Sequence, residues 1–366
     1  MATRRIGLLC LLAAFGLVAA ACSDDQQNTI PDGAASTCTT AATAAQLKTI
    51  DANGDGKLTI GVITPGSKTD GGYYQALVEC ADRLAKANGG STIVIDKVAA
   101  ADAATQMESL ARRSPDIIAV GAGELAKPLA DLSAKYDKIF WYCNCGAGTQ
   151  PVPTYLQSTD DSSEISFAAG YATGLLLKAA GKTKAGFIGN NKDQLPFEVE
   201  AFEAYKLGIT SVDAGFDAIY VGSGSFEDVQ SATAAYNQLK GQGVGAVYPF
   251  LGGALEAVVK LANADKIAVL SPGPSDACAR TNVSYQIAAK FDAGEYLDPI
   301  FSAILAGTLA EGQIRQFKVG KDPQPGAQIC KPTAEQTKAM TQVYNDIAAG
   351  KYNDQFFAIK KKAYNF

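Results

Sequence analysis

The chain has 366 residues, with 32 Lys or Arg, 37 Asp or Glu, eight Cys and no His, which gives a formal net charge of −5. Without histidine this chain cannot build a Ser-His-Asp or Cys-His nucleophile, an imidazole base or a histidine-ligated zinc site. Without a basic tract it lacks the electrostatic footprint of a nucleic-acid-binding protein. The length indicates about two domains, and an apolar fraction of 47% is enough for two buried cores.

The first residues have the pattern of a secretory signal. Arg4 and Arg5 form a positive region, and the apolar run 6–18 is shorter than the roughly 20 residues that a spanning helix needs. Three alanines then precede Cys22, in an order similar to a bacterial lipobox. We predict a signal peptide over residues 1–21, lipidation of Cys22, attachment to the extracytoplasmic face of the cell membrane, and a polar tether over residues 22–47. An ordinary signal peptide, with Cys22 incidental, is the alternative.

An even number of cysteines lies beyond Cys22, which in an exported chain predicts up to three disulfides with open connectivity. Cys143 and Cys145 are two residues apart on a predicted strand, so both side chains point to one face. We therefore expect them to pair with distant partners rather than with each other. A metal site is the weaker interpretation, because there is no C-x-x-C pair and no histidine. The full set is Cys38, Cys80, Cys143, Cys145, Cys278 and Cys330.

From Leu58 onward, short β-branched runs alternate with longer helical patterns. Apolar spacing predicts a helix over residues 73–87, and a second helix over 163–179 restarts the pattern after the Pro- and Gly-rich residues 146–161. The alternation predicts an α/β fold with two doubly wound parallel-sheet lobes. The predicted strands cover residues 58–63, 91–95, 116–120, 138–143, 185–188, 217–221, 246–248 and 267–270.

Glycine-rich polar loops follow most of these strands. The carboxyl ends of parallel strands line the ligand crevice of such sheets. Although the same residues suit ordinary turns, loops of this kind in two facing halves predict a cleft. We expect polar ligand contacts from Ser67, Asp70, Glu124, Asn190 and Asp276, and aromatic contacts from Tyr73, Tyr74, Phe197 and Phe250.

Two local motifs suggest a cofactor or a metal, and neither is adopted. Residues 121–126 match the dinucleotide pattern G-x-G-x-x-A, but they are not in the first strand–helix unit and the next strand does not end in an acid. Residues 51–62 begin like a calcium loop, but Val62 stands where a bidentate Glu is needed. We therefore predict no cofactor and no metal.

Pairs of acids suggest a hydrolase as a further alternative. Asp160-Asp161 and Glu198 with Glu200 are the pairs concerned. Acids this close in sequence usually mark a solvated loop or helix face, so we predict a protein that is not an enzyme.

Several segments together resemble the basic membrane protein family, whose members are substrate-binding lipoproteins of ABC importers and include purine-nucleoside receptors. Besides the lipobox, these segments are IGVITPGSKTDGGYYQ (60–75), FAAGYATG (167–174), KAGFIG (184–189) and YVGSGSF (220–226). The resemblance runs from about Leu58 to Gly320. It implies a type I periplasmic-binding-protein fold, with a hinge of several crossovers and a ligand enclosed between the lobes.

On that fold, residues 48–155 and about 271–310 would form the N-terminal lobe, and about 156–270 and 311–366 the C-terminal lobe. By motif, Asp70 matches a ligand-bonding acid of the family and Tyr73 the aromatic residue that stacks on the base. Glu164 matches the acid before the 167–174 helix, and Phe197 lies near the stacking aromatic residue of the second lobe. Asp276 is the candidate for the family's late ribose-binding acid.

The sequence thus predicts an extracytoplasmic solute-binding lipoprotein of an ABC importer. It would capture a small polar ligand, with a nucleoside-like molecule as the best guess, by hinge closure, and deliver it to a membrane permease. No nucleic-acid partner is expected. A surface receptor without transport and a hydrolase on the same scaffold are the alternatives.

Overall fold

The structure is a computed structural model that describes residues 38–146, 150–193 and 195–366. The predicted signal peptide and lipidation site lie outside the described residues. The strands are β1 (Thr59–Ile63), β2 (Ser91–Ile95), β3 (Ile117–Val120), β4 (Phe140–Asn144), β5 (Leu156–Thr159), β6 (Lys184–Gly189), β7 (Asp217–Gly222), β8 (Ala246–Pro249), β9 (Ala268–Gly273), β10 (Ile287–Lys290), β11 (Ile314–Gln316) and β12 (Gly326–Ile329). The α-helices are α1 (Ala44–Leu47), α2 (Tyr73–Ala87), α3 (Ala103–Ala111), α4 (Leu129–Lys135), α5 (Ser162–Ala180), α6 (Pro196–Val212), α7 (Val229–Gly241), α8 (Leu255–Asp265), α9 (Ala293–Leu305), α10 (Ala334–Ala348) and α11 (Asn353–Tyr364).

The strands form two six-stranded sheets. The first has the order β11-β5-β4-β3-β1-β2, and all of its neighbouring strands are parallel. The second has the order β12-β10-β9-β8-β6-β7, and it is parallel except for β12, which pairs antiparallel with β10. Helices pack against each sheet to make a lobe. The predicted α/β fold with two parallel-sheet lobes is confirmed.

Two of the central strands are buried along their whole length. Every residue of β3 and of β8 is buried, because helices cover both faces of each sheet. A strand is present at each of the predicted positions, and α2 has the predicted bounds. Continuous apolar runs and helical spacing were therefore sufficient to find these elements.

The prediction missed β5, β10, β11 and β12. These strands are at most four residues long and contain polar residues such as Gln157, Lys290 and Arg315. Their pairing with neighbouring strands stabilises them, and they have no apolar pattern of their own.

The chain crosses between the two lobes after β5, after β10 and again after β11. Helix α9 follows β10 and packs on α2 in the first lobe, where a Cβ on Gly294 would overlap the carbonyl of Ala76. The predicted lobe boundaries assigned three strands to the wrong lobe. These are β5 and β11, which belong to the first sheet, and β10, which belongs to the second. Because these strands were not recognised, the boundaries were placed in the wrong loops.

Residues 38–47 pack against the first lobe, so the predicted tether does not extend over them. Cys38 forms a disulfide with Cys80 of α2. Thr40 Oγ1 donates to a carboxylate oxygen of Asp298 at 2.8 Å, and the backbone N–H of Ala42 donates to Asn88 Oδ1 at 2.7 Å. The disulfide and these hydrogen bonds fix the segment, which its polar composition alone did not indicate.

Cys143 and Cys145 form a disulfide with each other, so the prediction of distant partners was wrong. Strand β4 ends at Asn144, and Gly146 has a φ of +77°. The chain therefore turns just after the strand, and the two Cα atoms lie 5.1 Å apart, within bonding range. The remaining described pair is Cys278 with Cys330.

Helices α5 and α6 form the tightest helix pair of the second lobe. A Cβ on Gly170 would overlap the carbonyl oxygen of Tyr205, and a Cβ on Gly208 would overlap that of Phe167. Helix α5 is capped by Asp161, whose carboxylate accepts from the backbone of Ser163. Among the described residues, no helix has both the length and the hydropathy required to cross a membrane.

Candidate functional site

The two sheets direct the carboxyl ends of their parallel strands into one shared cleft of about 730 Å³. Loops after β1, β3 and β4 line it from the first lobe. Loops after β6, β7, β8 and β10, together with Pro272 of β9, line it from the second lobe. A cleft is therefore present where the strand-end loops predicted one.

A row of six aromatic rings crosses this cleft from one lobe to the other. Tyr73 and Tyr74 begin α2, Phe197 lies at the start of α6, and Phe226, Phe250 and Phe291 follow strands of the second sheet. The ring centroids of Tyr73 and Phe291 are 6.1 Å apart, and those of Phe291 and Phe250 are 5.9 Å apart. Those of Phe250 and Phe197, and of Phe197 and Phe226, are each 6.5 Å apart. Such a surface offers ring faces on which a planar ligand can stack.

Asp70 lies between the cleft and the beginning of α2. Its Oδ1 accepts from the backbone N–H groups of Gly72 at 2.8 Å and Gln75 at 3.1 Å, and its Oδ2 accepts from Tyr74 at 3.2 Å. Burial raises the pKa of Asp70, the three hydrogen bonds oppose this, and the charge of Glu227 adds to it. Asp70 therefore organises the first turn of α2 and also faces the cleft.

Two further carboxylates line the cleft. Glu124 extends from the short 3-10 turn after β3, and Glu227 lies in the loop after β7. Glu227 Oε2 accepts from the backbone N–H of Gly253 at 3.1 Å. A Cβ on Gly252 or Gly253 would overlap the Glu227 carboxylate, so the two glycines leave room for it.

The electrostatic character of the cleft is acidic. Asp70, Glu124 and Glu227 line it, and no described lining residue is Lys or Arg. Burial and the charges of these acids raise the pKa of Tyr74 well above its ordinary value. The acids of both lobes therefore act on one region of the site.

Asn144 ends β4 inside the same cleft and is 4% exposed. Its Nδ2 is buried and has no hydrogen-bond partner among the described residues. A buried amide donor without a partner is unfavourable unless something else in the site accepts from it.

The structure brings seven of the predicted ligand residues to the cleft lining and leaves three elsewhere. Ser67 Oγ lies 3.1 Å from Thr69 Oγ1. Asp276 pairs with Arg280, at 2.9 Å from Nη2. The residues on the lining are Asp70, Tyr73, Tyr74, Glu124, Asn190, Phe197 and Phe250.

Glu164 is the third predicted ligand residue that lies outside the cleft lining, and it is located at a crossover between the lobes. Its Oε2 accepts from the backbone N–H of Val319 at 3.0 Å, which joins the start of α5 to the segment after β11. Burial raises the pKa of Glu164 to about 7, and the charge of Asp161 adds to this effect. Glu164 therefore contributes to the hinge and does not line the cleft.

Of the acid pairs that the sequence offered as solvated faces, Asp161, Glu198 and Glu200 are buried and Asp160 is half-buried. Glu200 accepts from Ser163 Oγ at 2.7 Å and from Tyr364 Oη at 2.9 Å. Glu198 accepts from the backbone N–H of Asn190 at 2.7 Å and from Tyr220 Oη at 2.8 Å. These carboxylates satisfy local donors around α5 and α6, and none of the four acids in the pairs lines the cleft.

Sequence reasoning did not single out Asn144, Phe226, Glu227, Phe291 or Tyr364, all of which line the cleft. Asn144, Phe226 and Glu227 lie in loops that were predicted to follow strands, so their position was available as a signal. Phe291 follows β10, which was not predicted, and Tyr364 is in the C-terminal helix.

Solved structures share this fold. An ABC transporter solute-binding protein from Conexibacter woesei is 18% identical, with a TM-score of 0.64 over 80% of this chain and 97% of that chain. An ABC transporter solute-binding protein from Aeropyrum pernix is 14% identical, with a TM-score of 0.62 over 83% of this chain and 90% of that chain. A Bacillus halodurans protein described as a transcriptional activator of the comK gene is 12% identical, with a TM-score of 0.60 over 80% and 98%. At these identities the likeness shows the fold alone, which is that of two-lobe periplasmic binding proteins.

The family follows from the sequence match. The model of the Bmp family, described as ABC transporter substrate-binding protein PnrA-like, matches residues 57–321. The chain belongs to this family of ABC transporter substrate-binding proteins. The resemblance found from the motifs is confirmed.

Proposed function

We propose that this protein captures a small, polar and planar ligand of the nucleoside type outside the cytoplasm and delivers it to the permease of an ABC importer. The observation that carries the proposal is the row of six aromatic rings that crosses a cleft between two lobes. Polar groups beside the rings, on Asp70, Asn144 and Asn190, supply hydrogen bonds that orient the ligand.

Capture proceeds by closure of the lobes on the ligand. A planar ligand that stacks on Tyr73 of the first lobe and on Phe250 of the second touches both at once only when the lobes are closed. The closed state therefore binds more tightly than the open state, and this difference in affinity shifts the population. The crossovers after β5, β10 and β11 are the segments about which the lobes move.

A thermal-shift screen of nucleosides, free bases, sugars and amino acids tests the ligand class. At about 100 times its Kd, a ligand raises the free energy of unfolding by about 2.7 kcal/mol. Purine nucleosides should raise the melting temperature, and the other classes should not. A shift with another class and none with nucleosides would reject the nucleoside assignment but keep solute capture.

Phe197→Ala tests the aromatic surface directly. Loss of one stacking ring should weaken the affinity of the protein for a nucleoside by roughly tenfold. Phe357→Ala is the matched control, because Phe357 is exposed on α11 and makes an edge-to-face contact with Phe366 outside the cleft lining. If the two substitutions changed the affinity measured by titration calorimetry equally, the result would argue against stacking in the cleft.

The predicted lipid anchor belongs to the same proposal. Cys22→Ala should release the protein from the membrane fraction of the producing cells, since one acylated residue would provide the attachment. Retention of the variant in that fraction would reject Cys22 as the anchor.

Binding without turnover distinguishes this proposal from a hydrolase. The acid pairs Asp160-Asp161 and Glu198/Glu200 lie outside the described cleft lining, so they do not face a ligand there. Stoichiometric binding with the ligand recovered unchanged supports capture, and conversion of the ligand would support the hydrolase.

A further inference from the structure

Among the described residues of the cleft lining, the ionisable acids have no basic counterpart. Asp70 and Glu124 come from the first lobe and Glu227 from the second. None of the three forms an ion pair with a described residue, and the described lining contains no Lys or Arg. Negative charge therefore collects on both sides of the space that a ligand would fill.

Acidic side chains of the two lobes interact electrostatically across the cleft. Glu227 of the second lobe contributes to the raised pKa of Asp70 in the first, after the larger effect of burial. Closing the lobes removes water from between these groups, and like charges repel more strongly as the local dielectric falls. A positive charge among the carboxylates would therefore favour the closed cleft over the open one.

The aromatic rings indicate that this charge belongs to an organic molecule. Ring faces of Phe, Tyr and Trp attract ammonium and other organic cations. Phe197, Phe250 and Phe291 provide such faces beside the acids. A bare metal ion fits less well, since no group of three or more acidic, Cys or His side chains in the described part of the chain could hold one.

Asn144 provides an independent observation at the same place. Asn144 lines the cleft, and its buried Nδ2 has no hydrogen-bond partner among the described residues. An acceptor on the ligand would satisfy this donor. A ligand complementary to this site would therefore combine a positive charge, a planar ring system and a hydrogen-bond acceptor in one molecule.

We propose that the ligand is a planar organic cation, whose positive charge lies among Asp70, Glu124 and Glu227 and whose acceptor atom receives the amide of Asn144. The proposal rests on solute capture in this cleft and specifies the charge of what is captured. Anionic relatives, such as phosphorylated nucleosides, are excluded by the same carboxylates.

Matched pairs of nucleosides test the charge while keeping the shape. 1-Methyladenosine is protonated at neutral pH and adenosine is neutral; nicotinamide riboside is a cation and nicotinic acid riboside has no net charge. Choline serves as a cation without a nucleoside body. In titration calorimetry at pH 7, the cationic member of at least one pair should bind at least about tenfold more tightly than its partner.

Variants assign the effect to the acids. The double variant Glu124→Gln/Glu227→Gln should remove most of the preference for the cation, and Glu335→Gln, an exposed acid on α10, should leave it unchanged. Both substitutions keep the side-chain shape, and thermal unfolding verifies that each variant is folded. A preference that survives the double variant would overturn the assignment to these acids.

The other outcomes separate the two proposals. Equal affinities within each pair, or tighter binding of the neutral members, would overturn the cation proposal while nucleoside capture stands. Binding of choline alone would support the positive charge but reject both the planar body and the nucleoside class. If none of the cations binds, the cation proposal fails.

Discussion

Arg280 of the second lobe donates a hydrogen bond from Nη1 to the carbonyl oxygen of Gly71 in the first lobe. Asp276 holds the guanidinium in place, since its Oδ1 accepts from Nε at 3.1 Å. Gly71 has a φ of +70°, in the region that favours glycine. The two lobes are therefore joined beside the cleft by a side chain and a backbone carbonyl.

Arg280→Ala should shift the ligand-free protein toward an open arrangement of its lobes. A hydrogen bond from a charged donor contributes about 1 kcal/mol or more, and this one links the lobes directly. Small-angle X-ray scattering should report a larger radius of gyration for the variant. Arg112→Ala is the control, because Arg112 pairs with Glu108 inside the first lobe. Identical scattering from wild type and Arg280→Ala would show that the contact does not hold the lobes together.

Asp70→Ala should destabilise the protein as well as weaken ligand capture. Three backbone N–H groups at the start of α2 would lose their acceptor, at a cost of about 1–3 kcal/mol. Asp70→Asn keeps the oxygen that bonds Gly72 and Gln75, so it should lose less stability. Urea unfolding of the two variants provides the comparison. If Asp70→Ala had the same free energy of unfolding as wild type, Asp70 would not stabilise the first turn of α2.

The stability of the protein should fall as the pH rises from about 4.5 to about 7, in part because of Glu164. Burial first, and then the charge of Asp161, raise the pKa of Glu164 in the folded state from 4.5 to about 7. The folded state then binds the proton more tightly than the unfolded chain, so this contribution is complete below pH 4.5 and lost by about pH 7. Burial also raises the pKa of Asp160, to about 6, which adds to the decline.

Glu164→Gln should flatten that decline, because the amide keeps an acceptor for Val319 without a titrating proton. The free energy of unfolding, measured with urea between pH 4.5 and 8, reports the difference. Glu335→Gln is the exposed control. The same pH dependence in both variants and in wild type would contradict the prediction.

Gly208→Ala should destabilise the second lobe although alanine is the better helix former. Its Cβ would overlap the carbonyl oxygen of Phe167, where α6 touches α5. Gly241 at the end of α7 has open space at the same position, so Gly241→Ala should be neutral or stabilise by about 0.5–1 kcal/mol. Thermal unfolding that ranks the two variants in the opposite order would refute this account of the helix contact.

The parts of the fold that follow from local pattern could be predicted from the sequence. The helix Tyr73–Ala87 has the apolar spacing of an amphipathic helix, and the buried strand Ile117–Val120 is a short apolar run rich in β-branched residues. Strands such as Ile314–Gln316 have no such pattern, because partner strands far along the chain stabilise them.

The site shows the same division. Phe197 and Phe250 could be predicted from their place at a helix start and after a strand. The pairing of Asp276 with Arg280 could not be found by spacing of strands and loops alone, since either residue in isolation suits a ligand. Nor could the contact of Glu164 with Val319, which joins residues 155 positions apart in the chain.

Asn144 lies between the two cysteines of the Cys143–Cys145 disulfide, so its backbone belongs to a small covalent ring. Ring closure reduces the number of backbone conformations available to this residue of the cleft lining. If the proposed ligand accepts a hydrogen bond from Asn144, less entropy is lost in ordering this residue, and affinity increases without any additional contact. Reduction of the disulfide should then weaken the binding of that ligand.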